Sequence, residues 1–423
     1  MLHCHSAPPQ ANFAGFPFAF PSMSKTDHDS DSDVSELDAK ELSQALSTDH
    51  WAPMLGYCED PETPLTADTF PSKSGGKPAW LNPETILEAE QVTCRNCEQP
   101  MVLLLQLYTP EDQPAEAFHR MVYVFCCKDG GCIKQDWTGS FKVFRSQLPR
   151  ENPYYPPPED EEDEDNDVAI DFSPKQFTPP KQCVICGLAA NKMCGKCHSA
   201  HYCSRQHQLV DWNSCRHKDY CNANNNNDDD DSVARLRASR LFPEKEIVSE
   251  AEGRGEDGEE EDAQKAHTAS QQQGGTLSGE TALALRGDET YEDSKVDVDD
   301  AFLKFQIKIG LYPDQVLRYE RVEYDMPDRE PLWVQGGCKP SLVPDCECCG
   351  GPRTFEFQIL STLINFLDIT PDANDALDWG SLYIYTCKHN CPIGDNVFAS
   401  EYLWKQDFST DGMDLNKTAS RYL

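Results

Sequence analysis

Between residues 183 and 221, eight potential metal ligands fall in four pairs: Cys183 with Cys186, Cys194 with Cys197, Cys203 with His207, and His217 with Cys221. Zinc takes four nitrogen or sulfur ligands in a tetrahedron, and a two-residue gap lets both thiolates of a Cys-x-x-Cys turn face one ion. Four pairs therefore make two sites. With every coordination position filled by protein, none is left for water or substrate, so the sites read as structural. The stretch is too short and polar to build its own core, and the metal supplies its folding free energy. Cys215, His198 and His201 lie close by and compete for the same roles.

Cysteine pairs recur on both sides of this stretch, inside a repeat. Pro78-Ala79-Trp80-Leu81 parallels Pro331-Leu332-Trp333-Val334. Cys94 follows Trp80 by fourteen residues and Cys346 follows Trp333 by thirteen. Each opens a Cys-x-x-Cys (Cys94/Cys97, Cys346/Cys349) that runs into an apolar strand, and a second strand in each half leads to Cys127/Cys132 or Cys387/Cys391. Phe144-Arg145 and Trp404-Lys405 close the two series. Each half thus carries four thiols able to clamp two strand ends around zinc, with Cys126 and Cys348 as alternative ligands. That makes two zinc ions expected in the central stretch and up to two more in the halves.

The elements that must position these pairs are mostly strands. Met101–Tyr108, Met121–Phe125, Phe141–Phe144, Phe355–Leu360, Leu382–Tyr385 and Glu401–Trp404 are short apolar runs rich in β-branched and aromatic residues and bounded by turn formers. Ala301–Leu311 reads as a helix that Gln315–Tyr319 continues. The fold class expected is α+β, mainly β: two duplicated, zinc-stapled β-rich halves forming one discontinuous domain, with an inserted double-zinc finger and acidic disordered segments. The boundaries expected are a disordered tail at 1–53, the first half at 54–150, an acidic and proline-rich linker at 151–180, the finger at 181–222, an acidic disordered insert at 223–299, the second half at 300–410 and a tail at 411–423. A sheet of about three strands cannot protect its edges alone, which is why the halves are expected to pair. The insert between them costs little, because loop-closure entropy grows only logarithmically with length.

The chain has 423 residues and a formal net charge of −36 concentrated in runs such as Glu159–Asp167. That field repels nucleic acid and membrane phosphates and suits a basic protein partner. Twenty cysteines, mostly paired, indicate zinc in a reducing compartment. The Phe13–Pro21 stretch has no basic lead and no continuous apolar core, so a signal peptide is not expected, and no apolar run is long enough to cross a membrane. A nucleocytoplasmic monomer is expected. No phosphate-binding glycine loop, G-x-S-x-G or H-E-x-x-H is present, and enzyme activity is not expected.

The order C-x2-C, C-x2-C, Tyr202-Cys203-Ser204, Asp211-Trp212 and His217-Lys218 before Cys221 resembles the MYND zinc finger. That resemblance implies that Cys183, Cys186, Cys203 and His207 hold one zinc and Cys194, Cys197, His217 and Cys221 the other, and that the finger docks peptides. His207 stands where most such fingers have cysteine. Phe70-Pro71-Ser72-Lys73, Gly75-Gly76-Lys77-Pro78-Ala79-Trp80-Leu81, Phe118-His119-Arg120, Val143-Phe144-Arg145, Phe355-Glu356-Phe357-Gln358 and Trp404-Lys405-Gln406-Asp407, together with the finger, resemble the programmed cell death protein 2 family. This resemblance implies a dedicated chaperone for a basic protein of the 40S subunit, ribosomal protein S2, in small-subunit biogenesis; from the pairing of the halves, the client is expected in the cleft or along the edge between them. The competing reading is a nuclear transcriptional co-regulator that docks peptides through the finger alone.

Overall fold

A computed structural model describes residues 52–157, 172–221, 231–253, 299–321, 330–369, 376–394 and 396–408. The tails, the acidic run at 159–167 and most of the later insert lie outside them. In chain order the strands are β1 (Met54–Glu59), β2 (Lys73–Ser74), β3 (Val102–Tyr108), β4 (His119–Cys126), β5 (Phe141–Leu148), β6 (Lys192–Met193), β7 (His201–Tyr202), β8 (Lys245–Ala251), β9 (Leu317–Tyr319), β10 (Arg353–Leu360), β11 (Ser381–Cys387), β12 (Ala399–Ser400) and β13 (Tyr402–Gln406). The helices are α1 (Gly130–Asp136), α2 (Arg205–Asn213), α3 (His217–Tyr220), α4 (Asp231–Ala238) and α5 (Asp300–Leu311).

Eleven strands form one sheet in the order β12-β5-β4-β3-β2-β8-β1-β9-β10-β11-β13. Its two ends are the same stretch of chain. β12 pairs with β5 and β13 with β11, and only Glu401 separates them, so the sheet closes into an antiparallel ring. Closure removes the free edges that each half alone would expose. It also explains why β3, β4 and β11 are buried on nearly every residue. Their inner side chains fill the ring, and their outer ones lie beneath the segments that carry Trp80 and Trp333.

The duplication extends to individual hydrogen bonds. In the first half, Gln106 accepts from the Ala79 amide (2.8 Å), and Tyr123 donates to the Ala79 carbonyl (3.1 Å) while accepting from the Leu81 amide (2.7 Å). In the second, Gln358 accepts from the Leu332 amide (3.0 Å), and Tyr383 donates to the Leu332 carbonyl (3.2 Å) while accepting from the Val334 amide (2.9 Å). Trp80 packs on Tyr123 and Trp333 on Tyr383, with centroids 5.0 and 4.6 Å apart. Each half also breaks register at the same place, between Leu103 and Leu105 in β3 and between Phe355 and Phe357 in β10.

The bulged residue is Leu104 in one half and Glu356 in the other. Glu356, fully buried, accepts from Thr386 (2.6 Å), from Arg321 (2.7 Å) and, from the opposite half, from both terminal guanidinium nitrogens of Arg120 (3.4 Å). Arg321 also pairs with Glu111 of the first half at 3.1 Å. Burial pushes the Arg120 guanidinium down to about 10, and Glu356 opposes that fall.

Two expectations are corrected. Gln315–Tyr319 does not continue α5; its last residues form β9, whose register places Leu317 opposite Gly56 and Ile359, and tertiary pairing overrides the local helical pattern. The insert expected to be disordered over 223–299 supplies α4 and the central strand β8, which pairs with β1 over six residues. Its composition is polar because only Ile247 of β8 is buried; backbone hydrogen bonds and its flanks hold the strand. Phe242 is buried ahead of it, and Glu252, buried after it, meets Arg318 at 2.9 Å. Gly75 admits this segment. Its φ is +64°, and a Cβ there would lie 2.0 Å from the Pro243 carbonyl oxygen. Within the expected linker, Tyr155 is buried and donates to the Leu81 carbonyl at 2.9 Å.

Replacing Glu356 by Ala strands Arg120 and Arg321 without their buried counter-charge, and a loss of about 3–5 kcal/mol is expected. Urea unfolding of the Glu356→Ala and Glu356→Gln variants checks this, with the Gln variant, which keeps hydrogen-bonding capacity, destabilised less.

Candidate metal centres

Four copies of one turn build the metal centres. In each Cys-x-x-Cys the residue after the second cysteine donates its amide to the carbonyl of the first cysteine: Glu98 to Cys94 (2.9 Å), Gly187 to Cys183 (3.0 Å), His198 to Cys194 (3.0 Å) and Gly350 to Cys346 (2.8 Å). All four donors sit in the left-handed region, with φ of 57°, 75°, 59° and 70°. The turn aims both thiols the same way, and the rest of each centre comes from elsewhere. His198 is a turn residue, not a ligand.

Among the described residues, four clusters bring potential ligand atoms within 4.8 Å of one another: Cys94, Cys97, Cys127 and Cys132; Cys183, Cys186, Cys203 and His207; Cys194, Cys197, His217 and Cys221; and Cys346, Cys349, Cys387 and Cys391. All sixteen candidate ligands are gathered in the sets expected. Cys126, fully buried at the end of β4, and Cys348 stay outside. Cys215 is buried and points its thiol at the Leu236 carbonyl, 3.3 Å away.

The donor sets fit zinc. Sulfur–sulfur separations are 3.6 Å for Cys97–Cys127, Cys186–Cys203, Cys194–Cys221 and Cys349–Cys387, and 3.7 Å for Cys346–Cys391. A zinc–sulfur bond of about 2.3 Å implies a tetrahedral edge of about 3.8 Å, whereas a disulfide needs about 2.05 Å. His207 offers Nδ1, 3.3 Å from Cys203 and 3.5 Å from Cys183, and His217 offers Nε2, 3.4 Å from Cys194 and 3.6 Å from Cys197. The thiols also polarise each other. Hydrogen bonds from Cys186 and Cys203 drive the Cys183 thiol far down, and the bond from Cys391 brings Cys387 to about 4.

The first finger centre is built where Ser204 caps α2, accepting from the His207 amide at 3.1 Å, so that Cys203 and His207 lie one turn apart. At the second, His217 turns Nε2 to the thiols while Nδ1 faces a buried Asp211–Arg237 pair, at 3.7 Å and 3.5 Å respectively. Asp211 accepts from Tyr202 (2.8 Å) and from two nitrogens of Arg237 (2.8 and 3.0 Å). Partners of this kind fix the orientation of a metal-binding imidazole. Arg237 lies on α4, in the segment expected to be disordered, and no spacing signal marked it.

The finger is not an appendage. Trp80 donates its indole N–H to the Gly187 carbonyl (3.0 Å), Ala189 donates to the Leu87 carbonyl (2.9 Å), and Cys183, Ile185 and Leu188 belong to the same apolar cluster as the ring. α4 clasps its other side and leads directly into β8.

Fold and sites together define a class: a closed, duplicated β ring stapled by cysteine clusters that can bind zinc, with a double-centre finger built into its flank. The chain belongs to the programmed cell death protein 2 family. Family profiles described as Programmed cell death protein 2, N-terminal domain, as MYND finger, and as Programmed cell death protein 2, C-terminal putative domain match residues 53–162, 183–221 and 299–407. The chain is 36% identical to Programmed cell death protein 2 of Bos taurus over 364 residues, covering 84% of this chain and 96% of that protein. It is 34% identical to the Rattus norvegicus protein over 361 residues, with the same coverage. A more distant relative, Probable 20S rRNA accumulation protein 4 of Schizosaccharomyces pombe, is 30% identical over 115 residues, or 24% of this chain and 26% of that protein. No solved structure matches.

Elemental analysis of the purified protein is expected to return four zinc ions per chain; two would restrict metal to the finger, and fewer than two would remove it from there as well. Because finger residues share the ring's core, Cys203→Ala is expected to speed limited proteolysis of the first half as well as of residues 183–221. Cleavage confined to the finger would show that the ring stands without it.

Proposed function

We propose that the protein is a non-catalytic escort for a basic ribosomal protein, ribosomal protein S2 of the 40S subunit, and acts in small-subunit biogenesis in cytoplasm and nucleus. The observation that carries this reading is kinship with a relative named for 20S rRNA accumulation. The formal charge of −36 gives the same direction, since unassembled ribosomal proteins are basic and need their charge shielded. A surface on the ring fits such a client. Along β1 and the insert strand β8, between the halves, Val248 lies exposed opposite Tyr57, flanked by exposed Glu59 and Glu250, with Asp60 nearby paired to Lys245 at 2.6 Å. This strip offers apolar contact within a negative field, and the field raises the on-rate for a basic partner.

A second reading, an adaptor that docks peptides on its finger, is favoured by the exposure of Met193 and Leu209. Affinity purification at near-physiological salt, followed by mass spectrometry, separates the two. The escort reading expects one dominant basic ribosomal protein, lost at high salt and lost from the Glu59→Lys/Glu250→Lys variant, with Leu209→Ala without effect. Retention of nuclear partners that depends on Leu209 alone, with no ribosomal protein, overturns it in favour of the adaptor.

A further inference from the structure

The two cysteine clusters of the ring occupy equivalent places in the repeat, but their surroundings differ. The N-terminal cluster is supported locally. Asn96 donates to the carbonyls of Cys132 (2.9 Å) and Asp136 (2.8 Å) and to Ser140 (3.0 Å), and the Cys127 amide donates to the Ser140 carbonyl (2.9 Å).

The C-terminal cluster is held from across the ring. Its second turn, residues 387–391, is gripped by the first half. Arg145 of β5, fully buried, donates to the Cys391 carbonyl (3.2 Å) and lies 3.7 Å from the Cys391 sulfur. Gln147 donates to the Asn390 carbonyl (3.2 Å), and Asn390 donates to the Gln113 carbonyl (3.4 Å). Arg145 also donates to Glu401 (2.7 Å), whose other oxygen accepts from Arg353 of β10 (2.8 Å). A four-thiolate zinc centre carries two net negative charges, and a buried guanidinium at its edge offsets part of them. Partners of this outer kind tune metal affinity about 10–100-fold.

The backbone joint beside this centre is thin. β12 pairs with β5 at only two positions, Ala399 with Arg145 and Ser400 with Phe144, supplemented by the Glu401 amide donating to the Val143 carbonyl at 3.0 Å. On the other side of the ring the halves join through β1 and β9, which pair at three positions and are backed by the six-pair ladder of β8 on β1. The cluster at the thin joint also contains an exposed member, Cys349, whereas the other three contain none.

We infer that the C-terminal zinc centre, Cys346, Cys349, Cys387 and Cys391, is the latch of the ring: metal bound there holds the 387–391 turn in the grip of Arg145 and Gln147, and its loss opens the β5–β12 joint. The N-terminal centre has no such role, because its turn is held by its own half and, through Lys128, by the Leu241 carbonyl of the insert (2.9 Å), and among the described residues by no hydrogen bond across the β5–β12 joint. Through Arg145 the dependence is reciprocal, and the ring's closure in turn retains the metal.

The test uses the full-length protein. Amide exchange is measured on Cys349→Ala and, for comparison, Cys97→Ala. The latch predicts at least tenfold faster exchange at residues 141–148 and 399–406 in Cys349→Ala, with wild-type rates at 399–406 in Cys97→Ala. Equal rates at 399–406 in the two variants overturn it. Arg145→Met, which keeps all the thiols, guards against simple misfolding. Under EDTA with iodoacetamide present, Cys387 and Cys391 are expected to be alkylated about tenfold faster than in wild type, in line with the outer-partner effect on affinity, while Cys94 and Cys97 keep their rate. Arg145→Lys should fall between. Acceleration of all four clusters alike, or of none, also overturns the latch.

Discussion

One strand serves two edges, and the rest of the structure depends on it. A β strand can bond a neighbour on each side, yet the run from Ala399 to Gln406 uses its first part for β5 and its second for β11. The change of side falls at Glu401, a buried carboxylate at a turning point where the backbone ladder is interrupted. A buried charge there is tolerable only with compensation, and two arginines from different halves provide it. Without that junction the sheet would be one open strip with free edges at β5 and β13.

The duplication shows which features were kept and which diverged. The Gln–Tyr–Trp clamp that fixes the segment before each Cys-x-x-Cys is the same in both halves, because it satisfies backbone groups that any copy of the fold must bury. At the bulge the copies part, with Leu104 in one and Glu356 in the other. An apolar residue needs only space. The glutamate needs cations, and it draws them from both halves, so the divergence of one position ties the copies together.

Much of this was legible in the sequence, and the reason lies in locality. Cys-x-x-Cys turns, apolar strands and the Trp80/Trp333 repeat announce themselves over a few residues; the ligand sets of the halves followed from the repeat, and those of the finger from its resemblance to the MYND pattern. β2 and β9 went unseen as strands because they are short and β8 because it is polar, while β1 lacks a clear alternation; the partners of β1, β8 and β9 lie far off in sequence. β8 buries one side chain and is held by its flanks, so its composition resembles the acidic chain around it. Arg237 acts on its cysteine cluster from outside any motif, and Arg145, though it stands in the Phe144-Arg145 step of the repeat, acts on a cluster that no spacing linked it to; both contacts exist only once the chain has folded. The left-handed turn residue was half legible: glycine at 187 and 350 signals it, while Glu98 and His198 do the same work without the signal.

The path of the chain around the finger carries a further consequence. It leaves the ring after β5, forms the finger, passes through α4 and returns to the ring as β8, and the finger is pinned on one flank by Trp80 and on the other by Arg237. The finger's exposed Met193 and Leu209 and the ring's acidic strip are therefore two surfaces on one rigid body rather than two modules on a tether. A partner long enough to touch both meets the second at an effective concentration set by a fixed distance, with no linker freedom to lose. The spacing between its two contact segments then becomes a criterion of recognition, as selective as their sequences.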